Sequence, residues 1–246
     1  MTDNNYTLVH DSRSIDFESI YIAAREKENR IYSDEQVALL PSIEKSHKHF
    51  DEWNVRKRSS ARLLQRLQQK NKPLSILEVG CGNGWLSARL SVIKNSEITA
   101  TDINKKELAQ ARRVFSKKEN ISLLYGDIRQ LDFHNKKFDV IVFAASVQYF
   151  AVFDQVIGRA LELLNKDGEI HIVDTRFYHD QEITDAANRT AEYYRSIGYH
   201  ELSKFYFHHS FQAVRKYRHK VLFDPDTITN KLFRKTDPFP WIVITV

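Results

Sequence analysis

The chain has 246 residues, of which 42% are hydrophobic and 28% are charged, and its net charge is +5. This ordinary globular composition argues against disorder, collagen and coiled coil, and the length suits roughly one or two domains that fold without disulfides. The single cysteine, Cys81, excludes an internal disulfide and a Cys-based zinc cluster. Without a long apolar run or an apolar leader, we expect no membrane span, no secretory signal and a cytoplasmic location.

The first 72 residues are predicted to be helical. Residues 33–36, Ser-Asp-Glu-Gln, are typical of a helix start. A second helix with leucines at helical spacing is predicted from Ser42 or Ser46 to Gln69, and Pro73 follows its end. We therefore assign residues 1–72 to an N-terminal helical extension.

From residue 73 onward, short β-rich runs alternate with helical segments of roughly 10–15 residues. This alternation predicts an α/β fold, a doubly wound and mostly parallel sheet with helices on both faces. Strands are predicted at 75–79, 97–101, 121–125, 138–143, 169–173 and 241–246, and helices at 85–94, 104–116, 153–164, 184–197 and 227–233.

Sheets of this kind bind ligands at the carboxyl ends of their strands. The first of these ends runs into Gly80, Gly82 and Gly84, three of the seven glycines in the chain. Glycines let the backbone turn sharply and approach a ligand, and the following helix offers unpaired N–H groups. Asp102 ends the next strand about 20 residues later, where a carboxylate can accept both ribose hydroxyls.

The glycine spacing separates two classes of nucleotide-binding protein. A dinucleotide fingerprint requires G-x-G-x-x-G/A, but the bulky Trp85 stands at its last position. The spacing is E-x-G-x-G-x-G instead, from Glu78 to Gly84. Together with Tyr-Gly-Asp at 125–127, the strand at 138–143 and the helix-to-strand link at 161–170, it resembles the class I S-adenosylmethionine-dependent methyltransferases.

The resemblance covers about residues 73–175 and implies a Rossmann-like methyltransferase domain over 73–246. It implies S-adenosyl-L-methionine as cofactor and in-line transfer of its methyl group. By this resemblance the glycine loop shapes the amino-acid pocket, Asp102 holds the ribose and Asp127 accepts from the adenine amine. Cofactor contacts are expected from Glu78, Gly80, Cys81, Gly82, Asn83, Gly84, Asp102, Ile103, Asp127, Ile128, Ala144 and Ala145.

The acceptor side is less specific. Residues 144–149, Ala-Ala-Ser-Val-Gln-Tyr, lack the [DN]-P-P-[YF] box of amine-directed enzymes and the aspartate of metal-dependent ones, so we expect no metal. Residues 175–225 are predicted to form a helical lid or substrate insertion before the last strand. We predict catalytic roles for His179, as general base, and Tyr149. Substrate contacts are expected from Gln148, Tyr149, Arg176, Tyr178, His208 and His209.

The resulting hypothesis is a methyltransferase that acts on a small molecule through an oxygen or nitrogen acceptor. An RNA methyltransferase is one alternative, because the basic stretches 56–72 and 204–220 could bind phosphates. A catalytically inactive cofactor-binding partner protein is the other. The histidines and aromatic residues named above could also be ordinary surface or core residues, and the oligomeric state stays open.

Asp102→Ala is expected to abolish binding of S-adenosylhomocysteine without unfolding the protein, because the variant loses the carboxylate assigned to the ribose. Calorimetry measures the affinity, and a thermal melt verifies the fold. Unchanged affinity would count against the assignment of this cofactor site.

Overall fold

The computed structural model describes residues 12–227, 230 and 237–246, with side chains from residue 17 onward. Most of the predicted helix at 227–233 lies outside these residues. Within them the chain forms a seven-stranded sheet with the order β3-β2-β1-β4-β5-β7-β6. The strands are β1 Ser75–Val79, β2 Glu97–Asp102, β3 Ile121–Tyr125, β4 Phe138–Ala144, β5 Leu164–Val173, β6 Arg218–Phe223 and β7 Trp241–Thr245.

The strand order reverses direction at β1, which pairs in parallel with both β2 and β4. Val79 at the end of β1 lies opposite Thr101 of β2 and Phe143 of β4. The loops that follow these three strands therefore emerge side by side, at the position where open α/β sheets bind ligands. β7 runs antiparallel between β5 and β6. The predicted fold class, a doubly wound and mostly parallel sheet, is confirmed.

Helices pack on both faces of the sheet, and three of the described helices precede its first strand. No helix in the described ranges is both long and apolar enough to cross a membrane. Short 3-10 turns occur at Val147–Tyr149, Asp180–Glu182 and His200–Phe205. The α-helices are α1 Ser12–Lys27, α2 Asp34–Leu39, α3 Phe50–Gln68, α4 Trp85–Leu90, α5 Lys105–Val114, α6 Phe153–Leu163, α7 Ile183–Ser196 and α8 Phe211–Arg215.

The N-terminal helices share a hydrophobic core with the sheet. Trp53, Leu63 and Leu67 of α3 are buried in the same cluster as Ile76 of β1 and Val140 of β4. On the other face, α6 buries an apolar stripe against a second cluster of strand residues. The described part of the helical extension is thus integrated into the core, because α3 covers one face of the sheet.

Ion pairs fix α3 to the part of the sheet formed by β5 and β7. Arg58 and Arg62 both contact the buried carboxylate of Asp237, which precedes β7, at 2.5 Å. One turn later, Arg66 and Lys70 contact Glu169 of β5 at 3.1 and 3.0 Å. Much of the basic stretch at 56–72 therefore holds the helix against its own sheet.

Several predicted boundaries were wrong. β5 starts at Leu164, directly after α6, because Leu164 pairs with Phe138 across a register shift. The polar residues 165–168 that predicted a turn thus belong to a strand. β6 was not predicted because it lies at the edge of the sheet, where its largely exposed side chains leave no apolar alternation. The predicted insertion at 175–225 therefore combines α7 and α8 with a sheet strand, and its function as a lid stays a prediction.

Candidate active site

A cavity of about 1360 Å³ opens at the carboxyl ends of β1, β2 and β4. The loops after β1, β2 and β3, residues 144–146 at the end of β4, and the cavity-lining side chains of α5 form one half of its wall, which we call the strand-end half. Segment 17–56, residues 148–150 after β4, the loop after β5, α7 and residues 205–206 form the other half, which we call the helical half. The cavity thus joins residues that are distant in sequence.

The predicted cofactor residues line the strand-end half almost completely. Glu78, Asp102 and Asp127 all reach the cavity wall, as do the residues beside them. Gly84 does not: it lies behind the wall as the N-cap of α4. The predicted set that lines the cavity is Glu78, Gly80, Cys81, Gly82, Asn83, Asp102, Ile103, Asp127, Ile128, Ala144 and Ala145.

Gly80 is where the chain turns from β1 into the cavity. Its φ is +73°, and a Cβ built on it would lie 2.5 Å from the Cβ of Ser146. The Gly80 and Cys81 amides both donate to the Thr101 carbonyl, at 2.8 and 3.0 Å. Only glycine combines this backbone conformation with this approach, so the loop lies between the end of β2 and the turn after β4.

Asp102 braces the glycine loop from the end of β2. Its carboxylate accepts from the amides of Gly82 at 2.7 Å and Asn104 at 2.8 Å. Asn104, not Asp102, is the N-cap of α5, which leaves the Asp102 carboxylate to the loop. Burial raises the pKa of Asp102, although these amide hydrogen bonds oppose the shift. The predicted ribose contact would use the remaining lone pairs of this carboxylate.

Two more carboxyl groups are buried near the same loop. Glu78 is 2% exposed, accepts from the Ser87 hydroxyl and has its pKa raised to about 8 by burial. Glu107 of α5 lines the cavity, and burial followed by the charge of Asp102 raises its pKa to about 8. Sequence reasoning missed Glu107, because the contact with the glycine loop depends on how α5 packs. Burial also raises the pKa of the Cys81 thiol, which fits a packing residue.

Asp127, after β3, forms a local ion pair. Its carboxylate accepts from the Arg129 amide at 2.8 Å and pairs with the Arg129 guanidinium at 2.5 Å. Ile128 between them is buried. A carboxylate offers about four lone-pair sites, so the predicted contact with an adenine amine is compatible with this pairing.

The turn after β4 contains a left-handed backbone conformation that residues other than glycine rarely adopt. Ala145 has a φ of +53°, and its carbonyl accepts from Gln148 Nε2 at 2.6 Å. Gln148 Oε1 in turn accepts from the Thr175 hydroxyl at 3.0 Å. Gln148 lines the cavity, but its amide ties the turn to the loop after β5. Gln148 therefore stabilises the cavity wall, and its predicted substrate contact would be an additional role.

The structure does not bring the three predicted histidines to the cavity wall. His179 is exposed at the start of a 3-10 turn. His208 contacts the Thr190 hydroxyl at 2.9 Å, and buried His209 contacts the Val147 carbonyl at 3.1 Å. Burial lowers the pKa of both His208 and His209. The predicted roles of these histidines therefore find no support in this arrangement. Their position in the insertion is set by how its segments pack, and closeness in sequence to the end of β5 does not predict that packing.

The helical half of the wall includes N-terminal residues that sequence reasoning missed. Arg25 of α1 donates to the Tyr149 hydroxyl at 2.9 Å, across 124 positions of sequence. Glu18 accepts from the amides of Lys105 and Lys106 at 2.6 and 3.2 Å, which fixes α1 to the start of α5. No sequence motif marks these contacts. Tyr149, Arg176 and Tyr178, predicted as substrate residues, do line the cavity.

The fold and this wall define a class I S-adenosylmethionine-dependent methyltransferase. A family model described as "Methyltransferase domain" matches residues 70–215, more than half of the chain. The chain belongs to this family, and the predicted resemblance is confirmed. Among the described residues, no group of three or more His, Cys, Asp or Glu side chains could hold a metal ion.

Relatives and solved structures agree with this assignment. Malonyl-[acyl-carrier protein] O-methyltransferase of Halalkalibacterium halodurans is 26% identical over 56% of this chain and 54% of its own length. The corresponding enzyme of Acetivibrio thermocellus is 30% identical over 53% and 46%. The chain thus spans about half the length of these curated relatives. The fold is similar to magnesium protoporphyrin IX methyltransferase from Synechocystis PCC 6803, with a TM-score of 0.61, 13% identity and coverage of 95% and 100%.

The strand-end half fits the cofactor of this class. Gly80 leaves a cradle that a Cβ would fill, as a closely approaching ligand requires. The carboxyl groups of Glu78, Asp102 and Glu107 surround this cradle and suit a ligand that carries a sulfonium and an ammonium. These residues would hold the amino-acid and ribose parts of S-adenosylmethionine.

Gly80→Ala is expected to destabilise the protein by roughly 2–5 kcal/mol, because a left-handed backbone and the contact with Ser146 both oppose a Cβ. Binding of S-adenosylhomocysteine should be lost as well. Gly158→Ala is the matched control, since nothing lies within 4 Å of its Cβ position inside α6. It should gain about 0.5–1 kcal/mol from helix propensity. Chemical denaturation measures both, and equal effects would contradict the interpretation.

Glu78→Gln is expected to reduce the pH dependence of stability in the ligand-free protein. The folded state holds the Glu78 proton up to about pH 8, against an ordinary pKa of 4.5. This contribution to stability is therefore complete below about pH 4.5 and is lost as the pH rises to about 8. Glu107 retains a similar dependence, so the slope should fall rather than disappear. Thermal melts from pH 5 to 8.5 test this, with exposed Glu97→Gln as control; an unchanged slope would refute it.

Proposed function

We propose that this protein transfers a methyl group from S-adenosylmethionine to a small-molecule acceptor. The observation that carries the proposal is the cavity itself, which continues from the strand-end half into the helical half. Its volume of about 1360 Å³ exceeds the roughly 300–1,000 Å³ of a pocket for one small ligand. A cofactor and a second small molecule would therefore fit side by side within one wall.

The chemistry needs alignment more than proton transfer. The cofactor supplies a methyl group on positively charged sulfur, which is already a strong methyl donor. The protein's contribution is to hold two ligands in line and to exclude water from between them. Asp102 and the glycine loop hold one ligand from the strand ends. Gln148 and Tyr149, in the turn after β4, line the helical half and would position the acceptor.

The curated relatives support oxygen as the acceptor atom. Those from Halalkalibacterium halodurans and Acetivibrio thermocellus are both named O-methyltransferases. The match covers about half of each relative. It therefore supports a shared cofactor-binding part more strongly than a shared acceptor. We therefore propose an oxygen acceptor first and a nitrogen acceptor second.

The RNA alternative finds little support in the surface. Arg62, Arg66 and Lys70 from the first basic stretch are engaged with Asp237 and Glu169. In the second stretch, Phe205 and Tyr206 line the cavity, and Lys216 pairs with Asp154 at 2.5 Å. Most cations of the first stretch are thus paired within the protein, whereas a strand of RNA requires free cations and exposed aromatic faces.

The first measurement is a calorimetric titration with S-adenosylhomocysteine and, in parallel, with NAD. Binding of S-adenosylhomocysteine alone is expected, since the glycine spacing and the acidic strand-end half suit that ligand. Gly158→Ala should bind like the wild type and Asp102→Ala should not bind. Binding of NAD alone would overturn the proposal.

Production of S-adenosylhomocysteine from S-adenosylmethionine, measured with a panel of small hydroxyl, carboxyl and amine compounds, then tests turnover. Acceptor-dependent production supports the proposed transfer. Cofactor binding without turnover on any acceptor favours the catalytically inactive partner protein.

A further inference from the structure

The two halves of the cavity differ in charge. The strand-end half carries five carboxyl groups, including Glu78, Asp102 and Glu107, against three basic side chains. The helical half reverses this balance, with five guanidinium groups against three carboxyl groups. They are Arg25, Arg30, Arg56, Arg176 and Arg189 against Glu28, Glu52 and Asp174. The helical half therefore has an excess of basic side chains. The strand-end half has an excess of carboxyl groups, but burial raises the pKa of Glu78 and of Glu107 to about 8, so these two hold their protons at neutral pH in the ligand-free protein.

The inner guanidinium groups are partly compensated by buried or half-buried acids. Arg25 pairs with Glu28 at 2.7 Å, and Arg30 and Arg56 pair with Glu52 at 2.6 and 3.0 Å. The Ser59 hydroxyl donates to the third acid, Asp174, at 2.9 Å, and burial raises the pKa of that carboxyl. Three guanidinium groups thus face two ion-paired carboxylates and the buried Asp174 carboxyl, and Arg176 and Arg189 add the excess of basic side chains in this half.

Arg25 and Tyr149 form a recognition pair at the centre of this half. Arg25 donates to the Tyr149 hydroxyl at 2.9 Å, and both residues line the cavity. A hydroxyl that accepts from a guanidinium keeps its own O–H to donate. Charge assistance makes that O–H a stronger donor toward an anion. The pair therefore suits a carboxylate or another oxyanion.

Aromatic rings surround the recognition pair. Tyr21 and Tyr206 lie edge-on to Tyr149, with ring centroids 6.0 and 5.7 Å from it. Burial raises the pKa of both phenols, so they stay neutral and add no negative charge. A wall of rings favours a flat, conjugated ligand through stacking and edge-to-face contact.

We infer that the helical half binds a planar aromatic or conjugated acceptor that carries a carboxylate, anchored by Arg25 and Tyr149. The inference rests on the proposed function and narrows its substrate class. Exposed Arg176 and Arg189 at the cavity wall add positive charge that attracts such an anion to the opening. The positive helical half also disfavours cationic amines, which it would repel.

The test uses protein saturated with S-adenosylhomocysteine and three probes that share one ring system: 2-naphthoate, 2-naphthamide and 2-naphthylmethylamine. Calorimetry should show 2-naphthoate binding about tenfold or more tightly than the amide, as a charge-assisted hydrogen bond to one carboxylate allows. The amine should bind most weakly. 2-Naphthyl phosphate, with its higher charge, separates a carboxylate site from a general anion site and should not exceed 2-naphthoate.

Two variants connect this preference to the recognition pair. Tyr149→Phe removes only the hydroxyl and should lower 2-naphthoate affinity about five- to tenfold while the amide is unaffected. Arg25→Gln should do the same or more, with a thermal melt to verify that α1 stays docked. Arg218→Gln, exposed on edge strand β6 and outside the cavity lining, is the matched control and should change nothing.

Equal binding of the acid and the amide would overturn the inference, as would no binding of 2-naphthoate to the saturated protein. A preference that survives both Tyr149→Phe and Arg25→Gln would overturn the assignment to these residues. If S-adenosylhomocysteine itself does not bind, the proposed function fails first. The same probes are then titrated into the protein alone. Tighter binding of 2-naphthoate than of 2-naphthamide would support the inference, and equal binding would overturn it.

Discussion

The cavity depends on the close approach of Gly80 to Ser146. This contact joins the loop after β1 to the turn after β4, and these are the two strands at which the sheet reverses its order. The Thr101 carbonyl fixes the same loop to the end of β2 through two amides. Three adjacent strand ends are thus held in one arrangement by backbone geometry, before any side chain contacts a ligand.

Acidic and basic side chains are distributed unevenly over the wall of this cavity. Carboxyl groups gather at the strand ends, where burial raises the pKa of Glu78 and of Glu107 to about 8. Guanidinium groups gather opposite them on the helical elements. Burying several like charges together is costly unless a ligand of opposite charge compensates them. We therefore propose that the two halves receive different ligands.

The N-terminal helices are part of the site. α3 shares the hydrophobic core of the sheet and is held to it by the pairs with Asp237 and Glu169. α1 is fixed to α5 by Glu18, which accepts from two otherwise unpaired amides at the helix start. The same helix carries Arg25 to Tyr149. The segment before the sheet therefore completes the helical half, and the family match alone, over residues 70–215, would have missed it.

The sequence by itself determined the α/β class, the five parallel strands and most of the residues that line the strand-end half of the cavity. These features come from local signals: alternation of strands and helices, the glycine spacing after β1, and an acid at the end of β2. Tertiary structure alone decided the helical half. In the folded chain Arg25 contacts Tyr149, His179 lies outside the cavity wall, and β6 forms one edge of the sheet. These outcomes depend on how distant segments pack, and packing between segments leaves no periodic pattern in the chain.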